Sequence, residues 1–300
     1  MLAKFQKADA KKEKKDEEKK PEKAAPTNEQ LLKETKVPAG FTAKIYAAPP
    51  TVGYPVGLCA APNGDVYVAV DENGSLDAKA GRGRIIRCVD KDHDGVADEF
   101  TTYAELDSPR GLFHDGRKLF VMAPPDLHVY EDLDGDGKAD AHDVLVKGLG
   151  FDLKFRGADH TTNQLQYGID GMLYVAVGDY GFIEAVDKAG RKLQMRGGGI
   201  VRVRPDGTEL EIVSRGQRNI YDVAIGPRGE LFTRDNTNDG GGWNVRLTHV
   251  LPGRKSAIRS SSRTLKRNIG LRSSIWAAGR RAARSSWTSP AYPPNTAARC

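Results

Sequence analysis

Three hundred residues allow one large domain or two small ones, and a formal charge of +6 would suit a nucleic-acid or anionic-surface partner. The placement of the charge excludes that reading. Residues 254–300 hold eleven Lys/Arg and no acid, leaving 35 basic against 40 acidic residues elsewhere. Nucleic-acid binding needs a basic face on the fold itself, so no such partner is expected. Cys59, Cys88 and Cys300 form no CxxC or CxxCH pair, which excludes zinc-knuckle, redox and haem-attachment motifs. No run approaches the ~18 apolar residues of a membrane helix, and MLAKFQKADAKK lacks the apolar core of a signal peptide.

Residues 1–36 are dominated by Lys, Glu, Asp and Ala and read as a disordered linker. Residues 37–253 follow, with a strand grammar throughout. A turn-plus-strand cassette appears as Asn63-Gly64-Asp65-Val66-Tyr67-Val68. It recurs as Asp115-Gly116-Arg117-Lys118-Leu119-Phe120-Val121, as Asp170-Gly171 leading into Leu173–Val177, and as Arg228-Gly229-Glu230-Leu231-Phe232-Thr233. Counted on the turn glycines, the steps are 52, 55 and 58 residues. Between cassettes come further strands at Gly83–Cys88, Leu127–Tyr130 and Gly199–Val203, each meeting an Asp/Gly-rich turn. About four strands per repeat of fifty-odd residues is the pattern of propeller blades, which bury their faces only on one another. The fold class is all-β: a β-propeller of about four blades. Cys59 and Cys88 lie in apolar strand contexts and read as buried thiols.

Two of the turns share the pattern DxDxDGxxD. They are Asp90, Asp92, Asp94 and Asp98 with the carbonyl of Val96, and Asp132, Asp134, Asp136 and Asp140 with the carbonyl of Lys138. Position 12, which would offer a bidentate acid, is Asp143 in the second loop and Thr101 in the first. Oxygen ligands at this spacing, with a glycine at position 6 to turn the loop, suit a hard cation such as calcium. The flanks are strands, so each loop would be a calcium-pinned hairpin with a structural role. An acidic turn without an ion has the same spelling.

His160 leads the third cassette. Its ordinary pKa of ~6.5 suits a general base, and the spacing is equally compatible with a satisfied loop histidine. The other histidines, His93, His114, His128, His142 and His249, have no ligand spacing and read as surface residues. Arg218-Asn219 precede the fourth cassette. At that position a guanidinium can point into a propeller centre and clamp a carboxylate or quinone oxygen, or it can pair with a nearby Asp.

The stretch from His160 through Gly168-Ile169-Asp170-Gly171 to Gly178-Asp179 resembles the catalytic-histidine blade of soluble quinoprotein glucose/sorbosone dehydrogenases. Gly216-Gln217-Arg218-Asn219 with Gly226–Phe232 is similar to their cofactor-contacting GxRN blade. The chain also resembles the propeller domain of planctomycete-type membrane-bound dehydrogenases, and the likeness spans about Val37–Gly253. The resemblance implies a six-bladed fold, of which this chain carries about four. It makes His160 the base that takes the hydroxyl proton of an aldose or related alcohol, and Arg218 and Asn219 the contacts to pyrroloquinoline quinone (PQQ). It also implies a periplasmic or secreted setting and a cytochrome c acceptor in the parent protein. The family's HNGGRL reads His160-Thr161-Thr162-Asn163-Gln164-Leu165 here, with Gln164 in the arginine's place. Its DEIN element reads Gly242-Trp243-Asn244-Val245, and its GxxYGxP continuation is absent after Gly253.

After Gly253 the grammar stops. Residues 254–300 are Arg/Ser-rich and acid-free, with Ile275-Trp276 and Trp287 among them. They read as a non-native frame following a frameshift, with an evolved basic low-complexity tail as the alternative, and the chain is expected to be inactive as a fragment. Two other readings stay open. One is a non-catalytic, calcium-stabilised propeller that binds glycans or proteins. The other is a lactonase-type propeller, which would need a central carboxylate cluster that the sequence does not display outside the hairpin loops.

Overall fold

The four cassette glycines, Gly64, Gly116, Gly171 and Gly229, all sit at φ between +78° and +106°, where a side chain would be strained. Each makes the turn that leads a strand back along its predecessor. The computed structural model describes residues 27–151, 153–155, 157–237, 244–253 and 276–277. The expected linker over 1–26, the Gly242-Trp243 element and the rest of the tail, 254–275 and 278–300, lie outside the described residues.

Four antiparallel blades follow in chain order. Blade 1 is β1 (Pro55–Ala60), β2 (Val66–Asp71), β3 (Gly83–Val89) and β4 (Glu99–Glu105). Blade 2 is β5 (Gly111–His114), β6 (Lys118–Ala123), β7 (Asp126–Glu131) and β8 (Ala141–Lys147). Blade 3 begins with β9 (Thr162–Tyr167) and β10 (Leu173–Val177). Next comes a hairpin, β11 (Phe182–Asp187) and β12 (Lys192–Met195), before β13 (Gly198–Val203) and β14 (Glu211–Gln217) complete the blade. Blade 4 is β15 (Ala224–Ile225), β16 (Leu231–Thr237), β17 (Asn244–Val250) and β18 (Trp276–Ala277). The propeller reading is borne out.

The middle strands explain the stacking. VYVAVD in β2, KLFVMA in β6 and LYVAV in β10 are buried on both faces, β6 and β10 because they are sandwiched between two blades. Tyr67, Ala69 and Ile85 of blade 1 pack on Leu112, Leu119 and Val121 of blade 2. Phe120, Met122 and Leu127 pack on Leu165, Leu173 and Val175 of blade 3. Tyr174, Ala176 and Ile200 pack on Val223, Leu231 and Val250 of blade 4. The outer strand β4 is mostly exposed.

Three features depart from the sequence expectation. The β11–β12 hairpin leaves its own blade and adds two strands to the outer edge of blade 2, pairing Val186 with Lys147 and Asp187 with Val146. Residues Asn28–Glu34, expected within the disordered linker, form an exposed helix, α1. A capping box holds it, with Thr27 and Gln30 exchanging side-chain-to-backbone hydrogen bonds. His128, expected at the surface, is only 9% exposed, and its Nδ1 lies 2.9 Å from His142 Nε2. Cys59 and Cys88 are free thiols, Cys59 half-buried and Cys88 buried, and burial pushes their pKa values up to about 12 and about 11 respectively.

Upstream of blade 1, residues 44–47 imitate an outer strand. The Tyr46 carbonyl accepts from Ala97 N at 2.9 Å, as the Tyr103 carbonyl of β4 accepts from Ala139 N at 2.9 Å. Tyr46 and Ala47 cover the face formed by Val68, Val70, Ile86 and Cys88.

The inner strands meet at Gln164, on β9. Its Oε1 accepts from Leu112 N of β5 at 2.7 Å, and its Nε2 donates to the Leu58 carbonyl of β1 at 3.3 Å. Its own N–H donates to the Tyr221 carbonyl at 3.0 Å, so one residue touches the entry of every blade. Gln164→Ala should lower the unfolding free energy by about 1–3 kcal/mol, because it strips a buried donor and acceptor of their partner. Urea melts of the two proteins check this.

Burial, and then the His142 ring, hold the His128 pKa below its ordinary 6.5, opposed by Asp126 and the Ala123 carbonyl. The unfolded chain therefore binds the proton more readily than the folded one. The His128 contribution is complete above pH ~6.5 and is lost as pH falls through the depressed folded value. Stability should decline between pH 7 and pH 5, and His128→Phe should flatten that decline, by at most ~1.4 kcal/mol per pH unit. Thermal melts across this range measure it.

Candidate functional site

Both sequence motifs lie at one end of blade 3. Gly178, just past β10, donates its N–H to the Thr161 carbonyl at 2.8 Å, beside His160. Gly198, opening β13, pairs with Gln217, beside Arg218. A Cβ on Gly178 would run into the His160 carbonyl, and one on Gly198 would lie 2.6 Å from the Gln217 carbonyl. Strand spacing alone would hold the inner and outer edges of the blade roughly 14 Å apart. After Asn219, however, the chain returns along β9. Asn163 Nδ2 donates to both the Thr161 and Ile220 carbonyls at 3.1 Å. Gln164 N then meets Tyr221, and Gln166 Nε2 reaches Asp222 at 3.3 Å. The structure thus brings the His160 segment and the Asn219 segment together.

His160 is held in a left-handed backbone conformation, φ +59°, which histidine adopts only sparsely. Its side chain is 14% exposed. Nδ1 is hydrogen-bonded to Asp179 Oδ1. An ionised carboxylate only accepts, so Nδ1 carries the proton and the lone pair of a neutral ring is on Nε2. Asp159 Oδ1 lies 3.6 Å from that Nε2, and Tyr180 packs at a tilt with ring centroids 5.5 Å apart. The arrangement can accept a proton at Nε2 while Asp179 fixes the tautomer and the ring plane.

The Arg218-Asn219 turn is organised by Asp235, which is 1% exposed. Asp235 accepts from the Arg218 N–H at 2.9 Å and the Asn219 N–H at 3.0 Å, and it pairs with Arg246 at 2.8 Å. Arg218 Nη1 donates to Asn236 Oδ1 at 3.0 Å. Among the described residues no carboxylate neutralises the Arg218 guanidinium. Thr161 Oγ1 and Gln217 Oε1, adjoining the two motifs, are buried without a hydrogen-bond partner. Asn219 opens a groove shared with Tyr221, Asp222, Thr233 and Asn236. Burial raises the Asp222 pKa, opposed by hydrogen bonds from Val223 and Gln166.

The two acidic loops are equivalent hairpins joining β3 to β4 and β7 to β8. In the first, the carboxylates of Asp90, Asp92 and Asp98 come within 4.8 Å of one another; in the second, those of Asp132, Asp134 and Asp136 do. The remaining expected ligands make the following contacts. Asp94 accepts from Val96 N at 2.7 Å and faces Lys44 at 3.4 Å. Asp140 accepts from Leu133 N at 2.7 Å. Asp143 lies on β8, paired with Lys188 and capped by Val144 N. Val96 and Lys138 are in the loops, and their N–H groups cap Asp94 and Asp136. Among the described residues the acidic groupings able to hold an ion are confined to these loops, so none forms at the centre.

Three positioning residues were not singled out from sequence. Asp179 closes a motif already marked, and its position next to Gly178 is the one local signal available. Asp235 and Asn163 carry no signal within the chain, because their partners are remote strands. Gln164, standing where the resembled family has arginine, is occupied in the hub. A Cβ on Gly111 would lie 2.8 Å from Gln164 Oε1, so the glycine there is what leaves the amide its place.

Among solved structures, the chain is similar to an oxidoreductase described as a glucose dehydrogenase from Thermus thermophilus. Identity is 21% over 69% of this chain and 64% of that one, with a TM-score of 0.46. It is similar to the PQQ-bound form of an aldose sugar dehydrogenase from Streptomyces coelicolor, at 21% identity over 67% and 61%, TM-score 0.47. A third is the pyranose dehydrogenase PQQ domain of Coprinopsis cinerea, at 14% identity over 69% and 53%, TM-score 0.47. The chain thus spans 53–64% of the length of these structures. No curated protein matches it. The family described as "Domain of unknown function (DUF7133)" matches residues 27–291, from the helix cap through all four blades, and the chain belongs to that family.

Proposed function

We propose that this domain is the quinone-binding and proton-abstracting part of a sugar or alcohol dehydrogenase. The observation that supports it is at one end of blade 3: the segment of an Asp179-oriented histidine is bonded, through Asn163, to the segment of a guanidinium that no described carboxylate neutralises. The donor set fits an anionic planar quinone such as PQQ. Arg218 supplies positive charge that no described carboxylate neutralises, Asn219 lines the groove, and Thr161 and Gln217, whose side-chain oxygens have no partner among the described residues, adjoin the two motifs. When bound, such a quinone supplies the two-electron acceptor.

The chain's own residues would divide the remaining work. His160 Nε2 takes the hydroxyl proton of the substrate. Asp179 keeps Nδ1 protonated and balances the charge the ring gains. Arg218, preorganised through Asp235 and Asn236, stabilises negative charge developing opposite it. Because the chain spans only part of the length of the dehydrogenases it is similar to, turnover is proposed as a property of a longer polypeptide. A periplasmic or secreted setting and a cytochrome c acceptor are part of this proposal. So is calcium in the two hairpin loops, where an all-oxygen trio would pin the outer strands.

PQQ binding to the purified protein, followed by absorbance, should weaken roughly 10- to 100-fold in Arg218→Leu, the loss of a charge-assisted contact. In a polypeptide that turns over an aldose with an artificial acceptor, His160→Ala should retain quinone binding and lower the rate by about 10²–10⁴. Equal rates in the two proteins would dismiss His160 as the base and favour a propeller that binds glycans or proteins without catalysis. Separately, calcium at ~100 times its dissociation constant should add about 2.7 kcal/mol of stability for each loop that binds it. Calorimetry should show that heat lost in the Asp92→Ala, Asp136→Ala double variant; an unchanged titration would leave both loops as plain acidic turns.

A further inference from the structure

We infer that Asn163 is a positioning residue: its side-chain amide couples the two halves of the site, the His160 segment and the Arg218-Asn219 segment. The coupling itself is geometric; what it does for catalysis rests on the function proposed above. Asn163 is 3% exposed. Its NH₂ group donates to two backbone carbonyls, Thr161 two residues back and Ile220 fifty-seven residues on, each at 3.1 Å. Two carbonyl acceptors fix the orientation of the amide, since its oxygen could serve neither. Thr161 directly follows His160, and Ile220 directly follows Asn219. Each segment has its own carboxylate orienter, Asp179 for the ring of His160 and Asp235 for the Arg218 and Asn219 amides. Neither carboxylate touches the other segment in any hydrogen bond among the described residues. Asn163 is the side chain that bonds to both.

A reacting hydroxyl must reach Nε2 of His160 while the developing charge faces Arg218, and an error of about 1 Å in their relative placement can cost on the order of 10² in rate. A buried two-donor bridge supplies that registration. Aspartate at 163 has almost the same shape but only accepts, so it would face two carbonyls with no proton to share. The neighbouring bonds, Gln164 N to Tyr221 and Gln166 to Asp222, hold the returning chain further along and remain in either variant.

The experiment compares wild type, Asn163→Ala, Asn163→Asp and, as control, Gln166→Ala by amide hydrogen exchange, without added quinone. In both Asn163 variants, exchange should speed roughly tenfold in residues 160–162 and 219–221 together, with blade 1 unchanged; Gln166→Ala should leave residues 160–162 as they are. Acceleration in only one of the two segments, in neither, or equally in blade 1 would overturn the inference. A second reading uses PQQ as the probe and the His160 ring resonance as the signal. In wild type the resonance should shift on adding the quinone. In Asn163→Asp it should shift by less than half as much at equal occupancy, which a merely stabilising residue would not cause. An equal shift at equal occupancy would overturn the positioning role. Should wild type bind no quinone, the functional reading fails, and the exchange data alone decide the coupling.

Discussion

Inner strands of a propeller converge, and their backbones come close enough that a side chain between them must be both small in cross-section and fully hydrogen-bonded. Gln164 meets that constraint. Its amide satisfies a β5 donor and a β1 acceptor while its backbone meets the chain entering blade 4. Glycines make this closeness possible: a Cβ on Gly57 would lie 2.6 Å from the Arg110 carbonyl, and one on Gly111 would lie 2.7 Å from Gln164 Cα. Buried amides are costly when unmet and modest when met, so the hub specifies blade registration more than it adds stability. The buried Arg110–Asp71 pair beside it, 6% and 0% exposed, works under the same rule. Burial lowers the Arg110 pKa, and the Asp71 charge opposes that loss.

The functional end of blade 3 follows from this registration. β9 serves as the strand on which the returning segment is laid, residue by residue: Asn163 to Ile220, Gln164 to Tyr221, Gln166 to Asp222. Without that return, β9 and the segment leaving β14 would be a full blade width apart. Glycines at 178 and 198 let the intervening strands pass directly beneath the two motifs.

Much of the fold was legible because its signals are local. A glycine at positive φ, a β-rich run and a return strand recur at 52, 55 and 58 residues, and the structure places a blade at each. The Asp/Gly loops were legible for the same reason, and each gathers three carboxylates. What was hidden lies between segments. The β11–β12 hairpin has ordinary strand spelling, and nothing in FIEAVD or KLQM says that it pairs with β8 of another blade. His128 looked like a surface residue because alternation shows which face a residue is on, not what that face meets. Asp235 and Asn163 act on partners 16 and 57 residues away, and a single chain without its contacts carries no trace of such pairs.

The distribution of charge at the site argues for a ligand that is itself an anion. Asp179 and Asp235 are both committed, one to an imidazole N–H and the other to two backbone N–H groups and Arg246. Neither is left to answer Arg218. In a partly buried setting a guanidinium with no carboxylate beside it among the described residues is held at a cost in desolvation, and that cost is offset when an opposite charge arrives. A neutral glycan would gain little from Arg218 beyond single hydrogen bonds. A carboxylated quinone would gain charge-assisted ones from a fork already fixed in place. The same end of the blade offers a proton acceptor at His160 Nε2, which a purely adhesive surface has no use for. On the function proposed above, charge and base together serve chemistry at this site rather than adhesion.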